Sequence, residues 1–153
     1  NHGFTLSDGH YREQTELGYN YRLSDIHASL GRSQLRRLTQ FIEQRWNIAM
    51  RYWDHLEDVV KLPPLHPHHA WHLFVIRIPE RDRVYKELLN RGIQTQVHYL
   101  PLYRNLFHQS TPRTWHPLPN TENYYRECLS LPIHPSLTKG EQTKVIEAVR
   151  DVV

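Results

Sequence analysis

Cysteine is nearly missing from this 153-residue sequence. Cys128 stands alone, so no disulfide can form within the chain, and a reducing, cytoplasmic setting is the expected one. Long apolar runs are missing too. None approaches the ~18 residues that a membrane-spanning helix requires, and no charged-then-apolar leader opens the sequence, so no membrane partner is expected. Blocks of Lys and Arg and basic-aromatic repeats are also absent, which removes nucleic acid from the expected partners. Lysine is scarce, with Lys61, Lys86, Lys139 and Lys144 making up the set. The chain opens on Asn1-His2-Gly3 in place of a methionine, which reads as a fragment or a trimmed product.

What is present compensates for a modest apolar share of 39%. Four Trp, nine Tyr and four Phe concentrate burial in few positions, and a chain of this length buries roughly 70% of its unfolded surface. The formal charge is +3, and twelve histidines add positive charge below about pH 6.5. That balance suits an anionic small molecule without demanding one.

Residues 1–23 are polar and glycine-bearing, and they read as an arm or loop; the remainder, 24–153, reads as one domain. Ser24 caps a helix with Asp25 in its first turn, and Ile26, Leu30 and Leu35 give it a thin apolar stripe. A second helical pattern covers Thr39–Leu56, and the sequence leaves open whether the two are one bent helix. The prolines between Lys61 and Pro67 force a connector. A strand is expected over His72–Ile78, a helix over Asp82–Asn90 closed by Gly92, and a strand over Ile93–Tyr99. Asn120 is a candidate cap for a short helix carrying Cys128, ahead of a strand at Leu129–Ile133. Thr138 and Glu141 form a capping box for the last helix. The expected class is α/β (α+β), with about three strands covered on one side by helices.

Three constellations could carry chemistry. Asn20, with Tyr19, Tyr21 and Arg22, sets an amide beside a guanidinium; read from the residues alone this is first a surface turn, which Asn and Gly favour. His98 and Tyr99 end a strand, and Leu100-Pro101 fixes the exit of the chain. His66, His68, His69 and His72 include a metal-type spacing, but Pro64 and Pro67 argue against the helix that spacing needs, so no metal site is assigned.

The stretch Gly18-Tyr-Asn-Tyr-Arg22, read with Val97-His-Tyr-Leu-Pro101 and Leu129-Ser-Leu-Pro132, resembles the C-terminal portion of the DegT/DnrJ/StrS sugar aminotransferases. The resemblance implies the small C-terminal domain of a fold-type I pyridoxal-phosphate (PLP) transferase. It implies that Asn20 and Arg22 contact the cofactor phosphate across a dimer boundary, and that Tyr19, His98, Tyr99, Leu100 and Pro101 face a nucleotide-sugar. Arg32-Ser-Gln-Leu35 and the run 129–138 resemble the branch acting on UDP-4-keto-6-deoxy sugars in pseudaminic acid synthesis. No lysine precedes Asn20, where that family places its Schiff-base lysine, so the chain alone is expected to be inactive and not to bind PLP. A homodimer or a missing large domain is the implied partner. The alternative is a free-standing nucleotide-sugar-binding or assembly module without catalysis.

Overall fold

The computed structural model describes residues 4–7, 11–14, 17–19, 21–106 and 118–153. They fall into two compact units, Asn1–Thr39 and Gln40–Val153. In the first unit, β1 (Phe4–Ser7) pairs antiparallel with β2 (Tyr11–Gln14), Phe4 opposite Gln14 and Ser7 opposite Tyr11. The stretch read as an arm or loop thus contains a hairpin. Helix α1 (Asp25–Leu35) follows, its Ser24 hydroxyl accepting from the His27 amide. No residue of α1 is buried.

Helix α2 (Leu38–Leu56) is separate from α1, which ends at Leu35 with Arg36 as its cap. Of its buried residues Ile48, Ala49, Tyr52 and Leu56, Tyr52 lies four and three positions after the first pair and Leu56 four after Tyr52, the spacing of one helical face. They enter a single apolar cluster with Phe74, Ile76, Leu129 and Leu131 of the sheet, and with Val84, Leu88, Val145 and Val149 of the helices that follow. Those helices are α3 (Arg81–Asn90) and α5 (Lys139–Val152). Gly92, at φ +77°, ends α3: the Ile93 amide donates to Leu88 O and the Gly92 amide to Leu89 O. This is the double bond pattern of a left-handed helix stop. At the start of α5 the expected capping box forms, with the Thr138 hydroxyl accepting from the Glu141 amide and Glu141 accepting from the Thr138 amide.

The sheet is smaller than expected. Strand β3 (Phe74–Arg77) pairs antiparallel with β4 (Cys128–Leu131), Phe74 opposite Leu131 and Arg77 opposite Cys128. Single bridges flank the pair, Lys61 to Arg77 on one edge and Gln96 to Ser130 on the other. The strand expected over Ile93–Tyr99 is therefore reduced to one bridge. Gln96 and Ser130 exchange both backbone bonds, 3.2 and 2.8 Å. The next such pair would set Gln94 against Pro132, and proline has no N–H to give. The class remains α/β (α+β), a small antiparallel sheet packed with helices. Helix α4 (Pro119–Glu127) precedes β4; Pro119 opens it and Leu118 occupies the cap, so Asn120 lies inside the helix and does not cap it.

Candidate functional site

Alternation assigns the two faces of the sheet. Phe74, Ile76, Leu129 and Leu131 turn into the core, so Val75, Ser130 and, through the bridge, Gln96 share the opposite face with His98 two residues on. On that face a depression of about 150 Å³ is lined by His72, Gln94, Gln96, His98 and Ser130 together with apolar neighbours. No acidic side chain lines it. Amide, imidazole and hydroxyl groups converge there, suited to the oxygens of a sugar or a phosphate.

His98 is held from below. Its Nδ1 lies 2.8 Å from the Ser130 hydroxyl, and Ser130 is 4% exposed. The Tyr99 ring meets the His98 ring edge-on at 4.6 Å and is 72% exposed. The peptide joining the two is cis. Leu100 is exposed, whereas Pro101 is buried and anchors the exit. Beyond it, the 3₁₀ turn Leu102–Arg104 is latched to α4: the Tyr103 hydroxyl donates to Glu122 at 2.6 Å, and the Arg104 guanidinium pairs with the same carboxylate. Those bonds hold the Glu122 carboxyl below its ordinary range and push the Tyr103 phenol up, each chiefly through the other.

His72 reaches the depression by a route that the sequence did not signal. Trp71 adopts a left-handed backbone, φ +47°, rare for a large side chain. Its amide donates to His69 Nδ1 at 2.9 Å, and its carbonyl accepts from Arg45 at 3.1 Å. The same guanidinium also donates to the carbonyls of His72 and Ile133, at 3.2 and 2.8 Å. One cation of α2 thus ties the entry of β3 to the exit of β4. Gln94, Gln96 and Ser130 were likewise missed as lining residues; the alternation of 93–98 places Gln94, Gln96 and His98 together, but only β4 reveals what they face.

A second, larger cavity of about 460 Å³ shares His72 and Leu73 with this one and lies between Lys61, Pro63, Trp71, Arg77 and Tyr124. Arg77 is committed to Glu127 at 2.7 Å. In the first unit, the Tyr19 and Tyr21 rings stack at 5.3 Å and Arg22 is exposed. Asn20 lies outside the described residues. Among the described residues no group of His, Cys, Asp or Glu is arranged to hold a metal; His69 packs on Trp71 at 4.2 Å. Cys128 is buried, and burial raises its thiol pKa.

All four lysines are exposed, and none lines the His98 depression. The depression therefore fits the oxygens of a ligand and does not fit the aldehyde end of PLP, which calls for an amine.

Comparison with known proteins shows the family of the chain. The profile described as the DegT/DnrJ/EryC1/StrS aminotransferase family matches residues 1–150. The spore coat polysaccharide biosynthesis protein SpsC of Bacillus subtilis is 35% identical over 94% of this chain and 40% of its own length. Helicobacter pylori PseC, an aminotransferase involved in the biosynthesis of pseudaminic acid, superposes with a TM-score of 0.79 at 29% identity, covering 99% of this chain and 43% of that one. NtdA from Bacillus subtilis, with bound cofactor PMP, gives 0.78 at 28% identity, over 90% of this chain and 34% of its own. The chain spans about 40% of the length of the curated relatives it matches.

Proposed function

This chain belongs to the DegT/DnrJ/EryC1/StrS aminotransferase family, and from that membership we propose that it forms the C-terminal part of an enzyme aminating a nucleotide-linked 4-keto-6-deoxy sugar. The complete enzyme uses PLP and an amino acid donor, as the PMP bound to NtdA supports. PseC favours the pseudaminic acid branch. The observation that carries the reading is the donor-lined depression around His98, free of carboxylates and of lysine. Its imidazole, with Tyr99 on the exposed rim, binds and orients the sugar or its diphosphate. Arg22 and Asn20 serve the cofactor phosphate, and Tyr19 the substrate. The amine that captures the cofactor and shuttles the proton is supplied from outside these 153 residues, by a large domain or a partner subunit.

Two measurements on the isolated chain test this. Incubation with PLP and borohydride, read by peptide mass spectrometry, is expected to leave no single lysine stoichiometrically modified; one specifically modified lysine overturns the division of labour. Calorimetry with a UDP-N-acetylhexosamine is expected to give binding that His98→Ala abolishes. Absence of any binding by the folded chain favours the alternative, an assembly module without a ligand.

A further inference from the structure

The contact between His98 and Ser130 contains more information than its length. A neutral imidazole carries its proton on one nitrogen, and the hydrogen bond at the other decides which. His98 Nδ1 faces the Ser130 hydroxyl at 2.8 Å. Two assignments satisfy that distance: the hydroxyl donates to a bare Nδ1, or Nδ1–H donates to the hydroxyl oxygen. The second leaves the Ser130 O–H needing an acceptor elsewhere. Ser130 is 4% exposed, and its hydroxyl has no other hydrogen-bond partner among the described residues. Burying an O–H without an acceptor is disfavoured, and the first assignment avoids it.

We propose that Ser130 is a positioning residue that fixes His98 as the tautomer protonated on Nε2, so that His98 offers the depression a single N–H donor. Nε2 has no partner among the described residues, and His98 lines the depression. The ligand atom meeting it is then an acceptor oxygen, hydroxyl or phosphoryl, and never an ammonium. Taking that oxygen to belong to a nucleotide-sugar rests on the function proposed above. The consequence for such an enzyme is a division of its ligand: His98 grips the oxygen-bearing part, which is the same in ketone and amine, and the group undergoing amination lies elsewhere.

The test is ¹⁵N NMR of the histidine ring nitrogens in the 153-residue chain, near pH 8.5, where an unperturbed imidazole is neutral. The free protein is expected to show His98 Nδ1 with a pyridine-type shift and Nε2 with a pyrrole-type shift. Ser130→Ala should collapse that preference to a tautomer mixture, and Ser130→Thr, which keeps the hydroxyl, should restore it. A pyrrole-type Nδ1 in the wild type overturns the proposal. So does an unchanged tautomer in a Ser130→Ala variant whose backbone spectrum remains native. Titration with UDP separates the two claims. Movement of the Nε2 resonance supports the oxygen acceptor, whereas the expected tautomer with no response to UDP or a UDP-sugar at millimolar concentration overturns the nucleotide reading and leaves the positioning intact.

Discussion

Tyr52 concentrates much of the domain's chemistry in one side chain. It is fully buried, packs on Phe74 at 5.1 Å, and donates its hydroxyl to Pro132 O at 2.9 Å. Pro132 follows β4, so the bond fixes the strand's exit beside the depression. Tyr52→Phe keeps the ring and orphans the carbonyl, and should cost about 1–2 kcal/mol in urea unfolding with an unchanged m-value. Burial raises the Tyr52 pKa far above that of a free phenol. The unfolded chain then loses its proton near pH 10 while the folded chain keeps it, so stability is intact below that pH and falls as pH rises above it. The phenylalanine variant should lose most of this alkaline slope. At this scale the sequence pointed to His98 and Tyr99 at a strand end, and it did not signal that His72, Gln94, Gln96 and Ser130 line one depression with His98. Arg45 was concealed as well: it looked like the polar side of α2, and its three carbonyl partners are 26 to 88 residues away in sequence.

Helix boundaries and strands differed in how far local chemistry determined them. Gly92 illustrates the legible kind. Its role as a helix stop needs only a positive φ, and a Cβ there would touch nothing within 4 Å. Gly92→Ala should therefore cost about 1 kcal/mol from backbone conformation alone, with Gly92→Asn milder, both read by thermal unfolding. The capping box at Thr138 was legible for the same reason, since both partners lie within four residues. The strand expected over 93–99 failed because its alternation was real while its ladder depended on Pro132, remote in sequence and unable to donate. The Phe4–Gln14 hairpin was overlooked because four-residue strands carry too little period to register.

For the molecule as a whole, the apolar surface that remains exposed is the main consequence. In the first unit Leu17, Tyr19, Tyr21, Leu23, Ile26, Leu30 and Leu35 are all at least 59% exposed. Apolar surface on this scale marks an interface in most proteins. The isolated chain should self-associate, with mass by light scattering rising with concentration, and Ile26→Glu with Leu30→Glu should shift it toward monomer. A concentration-independent monomer would count against the homodimer or missing large domain as partner. Composition alone could not foresee this, because a stripe such as Ile26, Leu30 and Leu35 looks identical whether a helix buries it or leaves it bare.

The latch between the turn at Leu102–Arg104 and Glu122 has an evolutionary reading. It pins together two points nineteen residues apart in sequence. Doubling the length of such an excursion adds only about 0.6 kcal/mol of closure entropy. A change of length between those anchors therefore adds little closure cost, and the imidazole four residues before the turn keeps its register.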